Sequence, residues 1–456
     1  MPRFRWFCSS VRLGSKTCGE EVLDELLPCS GGCLRFCADS VGMEERTGLA
    51  WLGRKIGWGF ADGQLDEWTA LGAAAVIERL VDPDEHGMLA RPDPFADIDR
   101  ADEQQARVVA TGIVRWIDAA VESPRLLETF MEFFWSDYFA VSGRVVRPHH
   151  WMFDHMNLLA SHATGNFAEL LRAVTIDPSM LRFLDGGTNT KENPNENFGR
   201  EMLELYSVGV DNFTEDDVKA AARALTGWRV RSRDGAVRLV AGRHDNSPQT
   251  LLGVDDVHDL DTTMAAVLAH PATAERVVHK LATAILGQGY NAELVADLSS
   301  SFAESWELKP VLRRLLELGV AGHAVPAVLE PVAWYVTARK LPMTQAGREQ
   351  LREFFTLGGQ VPMQPPNVGG FPPPDAYLST SATIARFNLA AHLADQTGRN
   401  NSRIDPAVLT SDVDLLAQRF GIVDGFRPAT QQALENLRPG VDRLAATLAS
   451  PDLVVV

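Results

Sequence analysis

Segment 191–228 constrains the fold of this chain more than any other, because it predicts two consecutive helices. Asn193 suits the N-cap of the first helix, Pro194 suits its first turn, and Gly209 can end it after Ser207. At roughly 100° per residue, four polar residues share one narrow arc of this helix. They are Asn197, Arg200, Glu201 and Glu204. The remaining surface is mostly apolar, so the pattern predicts a central helix whose single polar strip faces inward.

A buried polar strip requires partners for its charges. Arg200 and Glu204 have the i, i+4 spacing of an ion pair, which leaves Glu201 to find another cation or to hold a raised pKa. Three interpretations stay open. The strip is a network of ion pairs that ties helices together, it lines a pocket, or it is a solvated face of the helix. In the pocket, Glu201 or Glu204 is the general acid or base, and Arg200 orients it or clamps an anionic substrate.

The second helix begins directly after the first. Thr214 with Asp217 three residues later forms a capping box, and Glu215 and Asp216 suit the positive end of a helix. Its buried stripe consists of Val218, Ala221, Ala222 and Leu225. Acidic residues at its start would repel phosphate, so the pair of helices predicts helix packing and not a DNA-binding motif.

Sequence motifs in this region resemble those of a known family. The run N-E-N-F-G-R-E-M-L-E-L-Y-S-V-G, followed by T-E-D-D-V-K-A-A-A-R-A-L-T-G-W, is similar to the signature of the bacterial family called domain of unknown function 1800. Further similar motifs occur in the same order. They are W-L-G-R-K-I-G-W-G-F from Trp51, H-A-T-G-N-F at His162–Phe167, D-P-S-M-L-R-F-L-D at Asp177–Asp185, A-H-P-A-T-A at Ala269–Ala274 and P-P-N-V-G-G-F at Pro365–Phe371. The resemblance covers most of residues 50–395.

The resemblance indicates which proteins are related to this chain, but it does not predict a reaction, because the family has no established activity. Its members are often exported and often encoded beside a sulfatase-like or phosphatase-like protein. They commonly carry two histidines in a W-H-x-H-F motif, where this chain has Ser136 and Tyr138. If that pair binds metal or moves protons, this member has lost the function. The family motifs also make His162, His244 and Asp245 candidate ligand-binding residues, and we group Asn195 and Asn197 with them.

All five cysteines lie within the first 37 residues: Cys8, Cys18, Cys29, Cys33 and Cys37. Their C-x3-C-x3-C run fits neither the paired spacing of zinc sites nor the common cluster spacings. A metal-binding leader is therefore the weaker interpretation. We predict that residues 1–42 are not part of the natural protein and that Met43 is its start. Residues 43–400 form the helical core that matches the family, and residues 401–456 form C-terminal helices packed on that core.

Net charge argues against two classes of partner. The chain carries 43 Lys and Arg against 60 Asp and Glu, a net charge of −17, so nucleic acid and anionic membrane surfaces are poor partners. No apolar run approaches the roughly 18 residues of a membrane span. The first residues contain neither an uninterrupted apolar stretch nor a twin-arginine pair, so the sequence predicts a cytoplasmic protein, unlike its exported relatives.

No metal or cofactor is predicted. Four histidines crowd into one stretch, at His149, His150, His155 and His162, but no H-E-x-x-H or comparable ligand spacing is present. Segment 186–191 is a glycine loop that can bring Asn189 and backbone N–H groups toward a ligand at the start of the central helix. It lacks the residue order of a phosphate loop, so nucleotide binding is disfavoured.

The predicted fold is mainly α, a large multi-helix globular domain with one small β-hairpin. An amphipathic helix is expected over Gln64–Leu80, and a strongly aromatic helix over 125–139 belongs to the core. Alternating residues on both sides of Asp234 and Gly235 predict the hairpin. Residues 357–376, rich in proline and glycine, predict an ordered loop against the core.

Two function classes follow. The first is a binding or assembly protein that works with a separately encoded protein partner. The alternative is a carboxylate-based, hydrolase-like enzyme with its pocket on the central helix. Because G-x-S-x-G, zincin and nucleotide motifs are all missing from the sequence, hydrolysis would rest on Glu201 or Glu204. The sequence does not specify a small-molecule ligand.

Overall fold

The computed structural model describes residues 32–99, 105–341, 346–399 and 406–456. Residues 44–456 group into one unit, and the description below concerns that unit. The predicted leader, residues 1–42, lies mostly outside the described residues. None of the five cysteines has a described side chain.

The described residues contain 22 α-helices and four short strands. The helices are α1 (Gly32–Lys55), α2 (Gln64–Leu71), α3 (Ala73–Val81), α4 (Gln105–Glu122), α5 (Leu126–Tyr138), α6 (His150–Ser161), α7 (Phe167–Thr175), α8 (Pro178–Phe183), α9 (Glu196–Glu201), α10 (Glu215–Ala224), α11 (Leu260–Ala269), α12 (Pro271–Leu286), α13 (Leu298–Ser305), α14 (Leu308–Leu318), α15 (Pro331–Lys340), α16 (Arg348–Gly358), α17 (Thr380–Arg399), α18 (Pro406–Thr410), α19 (Val413–Arg419), α20 (Pro428–Glu435), α21 (Val441–Leu448) and α22 (Pro451–Val454). The strands are β1 (Trp228–Val230), β2 (Val237–Leu239), β3 (Gln249–Leu251) and β4 (Val254–Val257). The prediction of a mainly α fold is confirmed.

The predicted hairpin is confirmed, and a second one accompanies it. Trp228 pairs with Leu239 in an antiparallel β1–β2 ladder, with Gly235 at positive φ in the turn. Strands β3 and β4 form another antiparallel pair, closed by Leu252 and Gly253, both at positive φ. One hairpin was predicted, and the structure has two. The second was missed because leucine rarely occupies a turn position with positive φ.

The aromatic helix α5 lies in the core, as predicted. Trp135 and Phe139 are fully buried, and their rings pack against Phe167. The single helix expected over Gln64–Leu80 is instead two helices, because the chain breaks at Gly72, where φ is 82°. The change in direction still buries Val76, Ile77 and Leu80 on the inner side of α3.

The C-terminal helices pack on the rest of the unit. Trp334 in α15 donates its indole N–H to the carbonyl of Leu448 across 2.9 Å. Arg54 at the end of α1 donates to the carbonyls of Asp452 and Val455, at 2.6 and 2.7 Å. The two Arg54 bonds join segments 398 and 401 residues apart in the sequence, so the start and the end of the unit stabilise each other. None of the described helices combines the length and apolar character needed to cross a bilayer.

Candidate functional site

The central helix begins two residues later than predicted. Asn195, not Asn193, is its N-cap, and its Oδ1 accepts the N–H of Phe198 at 3.2 Å. Asn193 instead pairs with Thr190 in the turn before the helix. Both asparagines flank Pro194 and fit the cap equally well by residue type, which explains the error. Asn195 also donates to the carbonyl of Leu184, so this candidate ligand-binding residue has structural partners.

Asn189, expected to reach a ligand, is fully buried and holds the glycine loop in place. Its side-chain amide donates to the carbonyl of Ala222 in α10 at 2.9 Å, and its Oδ1 accepts the N–H of Asn195 at 2.8 Å. Its own carbonyl accepts the N–H of Gly227. The loop therefore joins α9, α10 and β1, which is a structural role.

The polar strip does not face inward as predicted. Asn197 is exposed, and the Arg200 side chain is 34% exposed. Arg200 pairs with Glu215 in α10 through two bonds of 2.9 and 2.6 Å, and not with Glu204. The two-bond geometry of a guanidinium with one carboxylate favours Glu215 over the i, i+4 neighbour. The capping box of Thr214 and Asp217 in α10 is present.

Glu201 and Glu204 remain together on the half-buried side of the helix. Burial raises the pKa of Glu201, the nearby charge of Glu204 raises it further, and Arg200 opposes both effects. Neither carboxylate has an ion pair among the described residues. They lie next to Tyr206, whose hydroxyl pKa is raised by burial first and then by the charge of Glu201.

The end of the central helix widens. Residues Met202–Tyr206 form a π-helix that continues α9 without a break. The last carbonyls of a helix lack partners within it, and here neighbouring side chains supply them. Arg276 in α12 donates through Nε and Nη2 to the carbonyl of Leu205, at 3.3 and 3.2 Å. Tyr138 at the end of α5 donates its hydroxyl to the carbonyl of Tyr206 at 3.3 Å.

The three candidates named from family motifs are held by local hydrogen bonds. His162 ends α6, and its Nδ1–H donates to the carbonyl of Leu158 at 3.0 Å. The Nδ1–H of His244 donates to the carbonyl of Thr226 at 2.9 Å, and Asp245 accepts from both the N–H and the hydroxyl of Ser247. His162 and the His244–Asp245 pair lie on separate elements, α6 and the segment before β3.

The crowded histidines do not form a metal site. His155 is fully buried and donates through Nδ1 to Asp177 at 3.1 Å. Asp177 also caps α8, where it accepts the N–H groups of Ser179 and Met180. Burial, followed by the charge of Arg147, lowers the pKa of His149 to about 4. Across the described ranges, no three His, Cys, Asp or Glu side chains come together as metal ligands.

Residues that replace the family's histidine pair take separate roles. The Ser136 hydroxyl is buried and donates to the carbonyl of Phe133 at 2.7 Å, within the same helix. Tyr138 reaches the central helix as described, and burial raises its pKa to about 12 against the charge of Arg276. Neither residue offers a free acid or base near neutral pH. Asp137, which lies between them, does.

Asp137 is a half-buried carboxylate at the end of α5. Its Oδ1 accepts the backbone N–H of Phe371 at 2.6 Å, and the Phe371 ring stacks on Phe133 with 6.4 Å between ring centroids. Gly370 has φ of 90°, and a Cβ there would lie 2.4 Å from Oδ1 of Asp137. A glycine is therefore required for the loop to approach the carboxylate this closely.

Charged and polar side chains from three other elements lie near Asp137. Arg276 and Lys280 are one turn apart in α12, Glu330 caps α15, and Tyr377 follows the proline-rich loop. The side-chain amide of Gln360 donates to Glu330 and also accepts the N–H of Val332 at 3.0 Å. We call this group the Asp137 cluster; its residues are Asp137, Tyr138, Arg276, Lys280, Glu330 and Tyr377.

Burial raises the pKa of Asp137 to about 7. The Phe371 N–H and the charge of Lys280 oppose this shift, whereas the charge of Glu330 adds to it. Partial removal of solvent around its ammonium group also lowers the pKa of Lys280, with the charge of Arg276 as a second cause. Lys280 is exposed and has no ion-pair partner in the part of the chain that the structure describes. An acid that titrates near neutral pH beside an unpaired ammonium group is suited to proton transfer.

The sequence contains one signal for Asp137. An aspartate in the middle of W-S-D-Y-F interrupts an otherwise aromatic, buried helix. A carboxylate in such a place needs a partner or a shifted pKa.

Comparisons with known proteins identify the family. The model of the family described as protein of unknown function (DUF1800) matches residues 51–455. The match runs beyond residue 395, where the resemblance described from the sequence motifs ends, and includes the C-terminal helices. Comparison with curated proteins and with solved structures gives no match. The chain therefore belongs to the DUF1800 family of proteins of unknown function.

Proposed function

We propose that the chain is a carboxylate-dependent enzyme of the hydrolase type, with Asp137 as its general acid and base. The position of Asp137 carries the proposal. Its half-buried carboxyl group is fixed by the Phe371 N–H at a point where segments that carry or adjoin five family motifs meet. The first segment supplies Lys55, which lies beside Glu330, and the second supplies Asp137 and Tyr138. The third supplies the carbonyls of Leu205 and Tyr206. The last two supply Arg276 with Lys280 and Gly370 with Phe371.

Proton transfer follows from this geometry. Because Oδ1 accepts the Phe371 N–H, Oδ2 is the oxygen that exchanges a proton. Neutral Asp137 donates its proton to the leaving atom as the bond to that atom breaks. The carboxylate that results takes a proton from the attacking water, which restores the acid. Lys280 supplies positive charge for an anionic substrate or for negative charge that develops during the reaction.

Glu201 and Glu204, the acids predicted from the sequence, take a secondary place in this proposal. Glu201 acts on Tyr206 through its charge, and the Tyr206 carbonyl receives the Tyr138 hydroxyl next to Asp137. We therefore assign both glutamates positioning roles beside the Asp137 cluster, and proton transfer is assigned to Asp137 alone.

A panel of nitrophenyl esters, phosphates, sulfates and glycosides tests the proposal. Asp137→Asn keeps an acceptor for the Phe371 N–H but removes the proton, so we expect a loss of turnover of at least ~100-fold. The matched control is Asp211→Asn, which changes an exposed aspartate. Equal rates in the two variants would reject Asp137 as the acid. Failure of the wild type on the whole panel would reject the proposal for these bond classes.

A binding or assembly role with a separately encoded protein is the second candidate, and one surface favours it. Leu378, Ile384 and Phe387 are 56, 50 and 59% exposed, and the last two share one side of α17. Next to them, Leu357 lines a groove of about 210 Å³ between α16 and α17. Exposed apolar side chains grouped in this way mark protein contact surfaces. A partner that copurifies with the wild type but not with Phe387→Lys would support this role.

A further inference from the structure

A second site lies on another part of α5, away from the Asp137 cluster. A pocket of about 260 Å³ opens between α5 and α6 beneath the loop 90–94. Its floor is formed by side chains one helical turn apart in α5, and Asn157, Ala160 and Ser161 of α6 form one wall. Pockets for drug-sized ligands span about 300–1,000 Å³, so this one suits a smaller molecule. We call it the Arg91 pocket.

The Arg91 side chain is only 10% exposed, yet part of its guanidinium group lacks a partner. Its Nη2 donates to Glu132 at 2.5 Å, whereas its Nη1 is buried and has no hydrogen-bond partner among the described residues. A buried donor without a partner is unfavourable. An acceptor oxygen bound in the pocket beside Arg91 would satisfy this donor once the side chain turns Nη1 toward it.

Glu132 holds the Arg91 side chain in place through their ion pair. It is 1% exposed, and the indole N–H of Trp116 donates to its Oε1 at 2.8 Å. Arg125 is also nearly buried, but its donors are taken by Glu128, Asp84 and the carbonyls of Met88 and Leu89. Arg125 therefore holds the loop over the pocket, and Arg91 remains the cation with a free donor.

The charges that line the Arg91 pocket restrict the charge of the ligand that it can bind. Two cations line the pocket, Arg91 and Arg125, against three acids, Asp93, Glu128 and Glu132. An anion would therefore add negative charge to a lining that already has an excess of acid. The pocket also offers the amide of Asn157, which has no hydrogen bond among the described residues. Guanidinium, amide and carboxylate groups together suit a molecule whose oxygens both accept and donate hydrogen bonds.

We infer that the Arg91 pocket binds a neutral, hydroxyl-rich small molecule about the size of one monosaccharide. Its hydroxyl oxygens accept from Arg91 and Asn157, and its hydroxyl protons go to Glu128 or Glu132. This site is independent of the reaction proposed at Asp137, because neither set of residues contacts the other.

Saturation-transfer NMR on the full chain tests the inference, with glucose, galactose and N-acetylglucosamine as ligands and inorganic phosphate as the charged comparison. We expect millimolar binding of at least one sugar and none of phosphate. Asn157→Leu fills the pocket without disturbing the Arg91–Glu132 pair. Arg91→Lys keeps the positive charge but removes the second guanidinium nitrogen, so that no donor remains at the position of Nη1. Both should weaken sugar binding at least ~10-fold, a loss of about 1.4 kcal/mol.

Asn246→Leu is the matched control, because Asn246 is exposed in a loop outside the pocket. It should bind as the wild type does. Three results would overturn the inference: no sugar binds, phosphate binds at least as well, or Asn157→Leu binds sugar as tightly as the control. Since the readout is binding and not turnover, failure here leaves the Asp137 proposal untouched.

Discussion

The backbone N–H of Phe371 donates to Oδ1 of Asp137 across 2.6 Å, although the two residues are 234 positions apart in the sequence. This bond fixes the proline-rich loop against the end of the aromatic helix α5. It also occupies one carboxylate oxygen and so determines which oxygen is left for chemistry. The most informative substitutions in this protein are those that alter this contact or the charges around it.

Asp137→Asn should change how stability depends on pH. The folded-state pKa of about 7 lies above the ordinary aspartate pKa of 3.8. The folded state therefore binds the proton more tightly, and its stability falls as the pH rises from about 4 through about 7. The variant loses this dependence. We expect the free energy of unfolding of Asp137→Asn to exceed that of the wild type by roughly 2 kcal/mol at about pH 8, because Asp137 is only half-buried. At about pH 4 the two proteins should differ little. Urea unfolding at both pH values measures this, and parallel curves would contradict it.

Gly370→Ala should destabilise the protein by about 1–3 kcal/mol, because φ of 90° disfavours a side chain and its Cβ would overlap the Asp137 carboxylate. The change should also release the Phe371 N–H from Asp137. Gly242→Ala is the control, since nothing lies within 4 Å of a Cβ at that position. Urea unfolding of both variants gives the comparison. Equal stability would show that the loop adapts without cost.

Arg276→Met should lower the free energy of unfolding by about 1–2 kcal/mol, because the carbonyl of Leu205 loses a charged donor at the end of the central helix. Lys280→Met removes the same charge from the next turn of α12, where no hydrogen bond is lost. It should therefore be nearly neutral for stability. The difference between the two melting temperatures isolates the contribution of the cap, and equal values would argue against it.

Asp177→Ala should lower the free energy of unfolding by about 3 kcal/mol, since it removes an N-cap and leaves the buried ring of His155 without its acceptor. Asp412 caps α19 at the surface through one bond to the N–H of Leu415. Asp412→Ala should thus cost only about 1 kcal/mol. Calorimetric unfolding of both proteins separates the two contributions, and similar losses would mean that the histidine contact adds nothing.

Much of the fold was accessible from the sequence, because helices in the core carry a strong period of apolar residues. The aromatic helix, the capping box of Thr214 and the first hairpin were all predicted. Helix boundaries were less accessible. Asn193 and Asn195 are the same residue type on either side of Pro194, and only the turn made by Thr190 and Asn193 decides between them. The break at Gly72 likewise depends on tertiary packing.

The candidate site was less accessible than the fold, for a physical reason. Its charged groups come from α5, α12, α15 and two loops, so no single stretch contains its pattern. The polar strip on the central helix had a clear period, but periodicity does not reveal that Glu215 captures Arg200 at the surface. A residue such as Asp137 becomes notable only when its surroundings are known.

The π-helix at Met202–Tyr206 makes the length of the central segment critical. Each turn of a π-helix contains about one residue more than a turn of an α-helix. Its backbone hydrogen bonds join residues five positions apart, whereas those of an α-helix join residues four positions apart. Deleting one residue between Met202 and Tyr206 would restore a regular helix and rotate the carbonyls away from Arg276 and Tyr138. The number of residues from Asn195 to Gly209 thus determines where these carbonyls lie. Single-residue deletions should therefore be tolerated far less in this segment than substitutions.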